Sequence, residues 1–209
     1  MIKEKVYQFI SEEIIRGNFK KDDRLVEQYI AEHLNISRTP VREAMFLLTA
    51  DDILEHEPRK GFRLKKYTAS DMEEIYEIIG TLDGKIAELT CGLLTEEDYS
   101  TMDFLIKAME AAIDNELYIK YNDLQYEFHS QYINKCKNQK LIQEINKMKR
   151  LFIGKEYNIG DDTIKETLYH TNAEHQKILE LFKAQDAAAV RYFIEKTHWR
   201  ADNAQYDIW

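Results

Sequence analysis

Apolar residues recur at helical spacing along almost the whole chain, and the pattern changes to strand-like only once. Val6, Ile10 and Ile14, widened by Phe9 and Ile15, form a first stripe that ends at Gly17. A polar turn, Lys20-Lys21-Asp22-Asp23, leads into a second helix starting near Val26, with Tyr29, Ile30, Ala31 and Leu34 as its apolar positions. Asn35-Ile36-Ser37 reads as a short turn. Ser37 suits an N-cap, Pro40 is tolerated in a first helical turn, and Val41, Ala44, Met45 and Leu48 then make one buried face. Ile53–Glu57 and Phe62–Lys66 read as two short strands joined by Pro58-Arg59-Lys60-Gly61. The order predicted is helix, turn, helix, hairpin.

Beyond residue 66 the period is helical throughout, with helices expected near 69–93, 95–114, 116–136, 138–154, 163–185 and 186–205. The first places Met72, Ile75, Ile79, Leu82, Ile86 and Leu89 at alternating spacings of three and four, the seam of helix-on-helix packing and a candidate for both bundle core and dimer contact. Both prolines of the chain, Pro40 and Pro58, lie in its first third, so nothing breaks these later helices. The expected fold is mostly α: a winged helix-turn-helix over residues 1–66, then an antiparallel α-helical bundle over 67–209.

On the second helix of the helix-turn-helix, the face opposite the buried stripe holds Thr39, Arg42, Glu43 and Phe46, with Arg38 on its flank. Arginine can bind guanine bidentately in the major groove, and threonine can meet bases or phosphates. The hairpin that follows has Arg59, Lys60, Arg63, Lys65 and Lys66 and no acid between 59 and 66, a composition suited to phosphate or the minor groove. Net charge refines this picture. The chain carries −9 overall, yet residues 1–66 hold 13 basic and 12 acidic residues, leaving 16 and 26 for the rest. A near-neutral head on an acidic body is compatible with duplex DNA as partner, because the distribution matters more than the total.

Ser37-Arg38-Thr39-Pro40-Val41-Arg42-Glu43-Ala44 resembles the signature of GntR-type winged helix-turn-helix regulators. Gly17, Leu25, Glu27, Ala31 and Gly61 fall in the order seen in that family, and the likeness covers residues 3–66. The resemblance implies that Ser37, Arg38, Thr39 and Arg42 face the operator, with Gln28 beside them and Arg59, Lys60 and Gly61 forming a wing in or near the minor groove. Three departures stand out: Gln28 where arginine is common, Lys21-Asp22 for Pro-Gly, and Phe46 for a polar or basic residue. The helical remainder resembles the FCD-type effector domain of the FadR-like branch, in its short six-helix form. That likeness implies a small-molecule effector. One short recognition helix reads too few base pairs for useful specificity, so a homodimer that reads an inverted repeat is expected.

Polar residues on apolar stripes mark the candidate effector site. Gln125, His129, Tyr132, Ile133 and Cys136 share a face, His175 lies with Ile178, Leu179 and Phe182, and Thr197 lies with Val190, Phe193, Ile194 and Ala201, with His198 at the edge. Phe128-His129 and Glu174-His175, with Asp186 eleven residues on, resemble the family's metal pattern of one Asp and three His. Gln125 replaces that Asp, Thr197 replaces the last His, and Ile79 replaces an arginine of the first helix. The ligands expected for zinc or nickel are then His129, His175 and His198, the last only if its helix rotates by one residue. The leading expectation is a metal-free polar effector pocket lined by Gln125, His129, His175, Thr197, His198 and Ile79, with the metal set as the alternative.

A helical metal-dependent enzyme is a competing class, as is a ligand-independent architectural DNA protein. Against the enzyme, the chain has no H-E-x-x-H, no Gly-rich phosphate loop, no G-x-S-x-G, and no Glu-x-x-His motif repeated on two helices. No apolar run reaches membrane-spanning length and residues 1–5 do not open a signal peptide, so a cytoplasmic protein without a membrane partner is expected. Cys91 and Cys136 are isolated and suggest neither a disulfide nor a cysteine metal site.

Overall fold

In the computed structural model the described residues are 1–20, 22–153 and 162–207. Lys21 of the expected polar turn and residue 154 of the expected fourth bundle helix lie outside them. The chain divides into two compact units, one of Met1–Thr68 joined by the segment starting at Arg150, the other starting at Ala69.

In the first unit α1 (Ile2–Ile15), α2 (Glu27–Leu34) and α3 (Arg38–Ala50) precede the hairpin of β1 (Leu54–Glu57) and β2 (Gly61–Leu64). Gly17 at φ 73° stops α1, and Asn35 at φ 52° makes the left-handed turn from α2 towards α3. Val41, Ala44, Met45 and Leu48 are buried as the pattern required, against Val6, Ile10, Ile30 and Leu54 among others. Ser37 stands at the N-cap of α3 but its side chain makes no capping bond. The strands pair antiparallel, Glu55 opposite Arg63 and His56 opposite Phe62. Residues 150–153 group with this unit rather than with the bundle. The Arg150 guanidinium binds Glu4 at 2.6 Å, its carbonyl accepts from the Tyr7 hydroxyl at 3.1 Å, and Leu151 and Ile153 are buried.

The second unit comprises α4 (Ala69–Thr90), α5 (Glu96–Asp114), α6 (Tyr118–Ile133), α7 (Gln139–Lys149), α8 (Asp162–Lys183) and α9 (Ala187–Phe193), whose course continues as a five-residue π turn and a final 3-10 turn. Its core joins Ile86, Met102, Met109, Phe128, Tyr132, Leu179 and Phe182 with neighbours from every one of these helices. The seam of α4 differs from the expected one in two positions. Asp83 is fully buried where Leu82 was expected, Leu82 being half-buried, and Leu89 is 46% exposed. The helix advances 100° per residue, so a seam of strict threes and fours drifts off a straight helix.

Two glycines let α9 and the π turn lie close on α4. A Cβ at Gly84 would stand 2.9 Å from the Arg191 carbonyl oxygen, and one at Gly80 would stand 3.0 Å from Trp199 Cβ and 3.1 Å from the Glu195 carbonyl. Gly84→Ala should therefore destabilise the protein by about 1–3 kcal/mol through overpacking against backbone. Gly92→Ala, where a Cβ meets nothing within 4 Å, should stay within about 0.5 kcal/mol of wild type. Urea unfolding of the two variants checks the pair.

Candidate functional site

Two faces gather functional side chains, one in each unit. On the first, Ser37, Arg38, Thr39, Arg42 and Gln28 are exposed, and a groove of about 350 Å³ runs between α3 and the hairpin. Arg24, Gln28, Arg38, Arg42, Arg59 and Gly61 are among its lining residues. Glu27, which is largely covered, draws Arg38 and Arg42 together at 3.7 and 3.5 Å. Phe46 packs at a tilt against His56 and edge-to-face against Phe62, ring centroids 5.0 Å away in both cases, so the residue that departs from the family pattern ties α3 to the hairpin.

The hairpin is less positive than its return strand suggested. Arg63 is gripped by Glu55 at 2.7 Å and also by Glu57, Lys60 pairs with Glu57 at 2.7 Å, Lys65 with Asp52, and Lys66 with Asp22. Counting acids only within 59–66 missed the facing strand, where cross-strand neighbours lie close enough to pair.

On the second face, α6, α8 and the π turn bring His129, His175 and His198 together, with one nitrogen from each within 4.8 Å of the others. All three are buried. His198 arrives there through the π turn. Over Ile194–His198 the backbone makes an i→i+5 turn, the Trp199 N–H donating to the Ile194 carbonyl at 3.1 Å. Each such turn inserts one residue into the helical register, which supplies the 100° rotation that His198 needed. Thr197 is half-buried instead and is absent from the cluster, and its carbonyl accepts from Arg200 at 2.7 Å. Gln125 is half-buried one turn before His129, and Ile79 is fully buried one turn before Asp83. Asp186, part of the spacing that suggested a metal set, instead caps α9 by accepting from the Ala189 N–H at 3.0 Å.

Hydrogen bonds settle which nitrogen each ring presents. Tyr132 donates to Asp83 Oδ1 at 2.7 Å, leaving its oxygen to accept from His129 Nδ1 at 2.6 Å, and Asp83 Oδ2 lies 3.1 Å from the same nitrogen. Glu174 accepts from His198 Nδ1 at 3.0 Å and also holds Arg200. A carboxylate can only accept, so both Nδ1 atoms carry a proton, and each ring in its neutral form presents a lone pair at Nε2. Those two Nε2 atoms face each other at 3.2 Å. Neither nitrogen of His175 has a hydrogen-bond partner among the described residues. Facing lone pairs and an orphaned buried imidazole are what a cation removes, and carboxylates behind ligand imidazoles are the usual outer shell of a metal site. The donor set fits a divalent ion.

Asp83, Lys149 and Trp199 complete the surroundings and were not anticipated. Lys149 Nζ lies 3.5 Å from Asp83 Oδ2 and 5.6 Å from the Trp199 ring centroid, while Trp199 Nε1 donates to Asp83 at 2.9 Å. An acid lying between Ile79 and Ile86 on the seam of α4 was the available signal for Asp83. Lys149 had none, since it ends a helix beside Lys147 and Arg150 exactly as a solvated lysine would.

Burial holds the His129 imidazole down to about 4, Lys149 adding to the effect and Asp83 opposing it. Burial likewise keeps His175 well below its ordinary value, with the neighbouring histidines next in weight. For Asp83 burial pulls upward, but the Lys149 charge, then His129 and the two hydrogen bonds, leave the carboxyl well below the usual range. All three shifts have one sign for stability: the unfolded chain takes up protons first, so stability falls on acidification. The metal-free protein should lose about 3 kcal/mol through His129 alone between about pH 6.5 and 4. Urea midpoints measured across that window should fall less steeply for His129→Gln.

Both parts of the chain match known families. Residues 2–64 match the family described as bacterial regulatory proteins, gntR family, and residues 74–197 match the FCD domain. The chain is 28% identical over 197 residues to the uncharacterized HTH-type transcriptional regulator YdhC of Bacillus subtilis, covering 90% of this chain and 84% of that protein. It is 28% identical over 130 residues to the Nta operon transcriptional regulator of Aminobacter aminovorans, covering 61% and 60%. Among solved structures, Escherichia coli McbR/YncC superposes with a TM-score of 0.81 at 19% identity, over 99% of this chain and 97% of that one. A GntR protein from Rhodococcus sp. RHA1 gives 0.71 at 22% identity, over 98% and 96%. A winged helix-turn-helix followed by a helical domain whose sequence matches FCD places this chain in the GntR family of bacterial transcription regulators.

Proposed function

We propose that this regulator is a ligand-responsive homodimer, without enzymatic activity, that binds an inverted-repeat operator in the cytoplasm. The observation that carries the sensing half of this reading is the buried His129–His175–His198 cluster with its lone pairs turned inward. His129, His175 and His198 would hold a divalent ion, zinc or nickel by donor type. Asp83 with Tyr132, and Glu174, fix two of the rings with Nε2 inward. When bound, the ion supplies a Lewis-acidic anchor for oxygen donors of an effector. Both nearby carboxylates are already balanced, Asp83 by Lys149 and Glu174 by Arg200, so three neutral imidazoles leave the ion's charge to be met by what binds beside it. Effector binding near Gln125, Ile79 and His129 then changes operator affinity only through unequal affinity for two states of the dimer.

Exposed apolar side chains on α4 support dimerisation through this helix. Ile78 and Leu89 are 47% and 46% exposed and three turns apart, with half-buried Leu82 between them on the same face. A monomer on sedimentation, free and with DNA, would refute the dimer, and Leu89→Asp should shift wild-type dimer towards monomer.

On the DNA side Arg38→Ala and Arg42→Ala should each weaken specific binding by about 1–3 kcal/mol with the fold intact. Wild-type affinity in both would refute the recognition role. For the sensor, metal analysis of the purified protein and titration with zinc should show one ion per chain. Glu174→Gln should lower zinc affinity about 10–100-fold. His129→Ala should abolish the metal and the effector response while DNA binding persists. A His129→Ala protein that responds fully to the effector would reject the site, whereas a wild-type protein without metal affinity would reject only the ion.

A further inference from the structure

Most cations around the operator-binding face are already matched with acids. Glu27 leans on Arg38 and Arg42, and Glu55, Glu57, Asp52 and Asp22 hold Arg63, Lys60, Lys65 and Lys66. Among the described residues, no carboxylate pairs with Arg24 or Arg59, both of which line the groove between α3 and the hairpin. Arg59 sits at the hairpin tip, where the sequence already drew attention to it. Arg24 precedes α2 and lies outside the Ser37–Ala44 signature.

The backbone around Arg24 is nevertheless fixed to the wing. The N–H of its neighbour Leu25 donates to the Phe62 carbonyl at 2.8 Å, and Leu25 bridges Phe62 as an added antiparallel partner of β2. The Arg24 side chain then crosses Gly61, the residue before Phe62. A Cβ at Gly61 would meet Arg24 Nε at 2.8 Å, Nη2 at 3.3 Å and Cζ at 3.4 Å. The guanidinium of the exposed Arg24 thus passes over the bare backbone of the wing at Gly61, and the chain from which it extends is tied to β2 through Leu25.

We propose that Arg24, which lines the groove and extends over the wing at Gly61, is a phosphate contact of the operator complex, and that Gly61 is glycine in part to let its guanidinium pass. The proposal rests on the reading of this face as the operator-binding surface. A guanidinium presents five donors in a fixed fork suited to phosphate oxygens. Lying against the wing backbone rather than at the amino-terminal end of α3, it is placed to fix the protein's register on the duplex rather than to read bases. Gly61 also has φ 89°, which favours glycine by itself, so the two reasons must be separated.

The test measures binding to a duplex selected from a random library by the wild-type protein, and to an unrelated duplex of equal length, across a range of salt. Arg24→Ala should weaken both to a similar degree, about eightfold per bound protomer at 0.1 M salt, and flatten the slope of log K against log salt by about 0.9 per protomer. Gly61→Asn tolerates positive φ better than other substitutions but restores a Cβ. It should weaken wild-type binding and add little in the Arg24→Ala background. Unchanged affinity and slope in Arg24→Ala, with Arg38→Ala impaired, would overturn this inference alone. If Arg38→Ala is also unimpaired, the reading of the face itself fails. Loss confined to the selected duplex would make Arg24 a base reader, and additive effects of the two substitutions would remove the link to Gly61.

Discussion

The buried carboxylate of Asp83 is the group on which the second unit turns. It lies on α4, and three other segments send it a partner: Tyr132 and His129 from α6, Lys149 from the end of α7, and Trp199 from just beyond the π turn. An ionised carboxylate without such partners would be costly in an apolar interior, whereas one so surrounded fixes the mutual positions of everything that reaches it. Removing any single partner would leave charge or polarity uncompensated. The arrangement also orients His129 towards the other two histidines, so the same group that secures the packing sets the geometry of the candidate metal site.

The π turn resolves a conflict that a regular helix could not. Continued as an α-helix from Val190, the last stripe would bring Thr197 inward and leave His198 on the edge. The extra residue at Ile194–His198 reverses that choice, and Gly80 and Gly84 give α4 the smooth surface on which the widened turn and α9 can lie. A π turn carries a poorer backbone geometry than the α-helix it interrupts, and such turns occur disproportionately at functional sites. Here it places the third imidazole.

These two features show what the sequence could and could not disclose. The helix-turn-helix was legible because its buried face, its turn at Asn35-Ile36-Ser37 and its Gly17 stop are local consequences of residue type, and each appears in place. His129 and His175 were legible because a regular helix maps spacing onto a face. His198 was legible only as a condition, since no propensity marks where a helix widens by one residue. Asp83 was overlooked because Leu82 offered a more regular seam, and Lys149 because a lysine among other basic residues at a helix end looks the same whether covered or solvated. The wing charge was misjudged for a related reason: strand pairing joins residues distant in sequence, so Glu55 and Glu57 act on Arg63 although they fall outside its segment.

That pairing bears on how a head with 13 basic and 12 acidic residues can hold DNA. A nearly neutral surface produces little long-range attraction, and a lysine already matched with an aspartate releases few counterions when a phosphate replaces its partner. Affinity must then depend on a small number of guanidiniums placed with defined geometry. On the proposed reading the groove between α3 and the hairpin would supply them: Arg38 and Arg42 are kept together by one largely covered glutamate, and the ring contacts of Phe46 with His56 and Phe62 tie the hairpin to α3. Glu27 holds its two arginines at distances longer than a tight ion pair, so exchanging it for a base edge or a phosphate costs less than breaking a close contact would. On the proposed reading such a surface would bind weakly to arbitrary duplex and gain on a sequence that satisfies its few arginines, which is the selectivity a regulator requires.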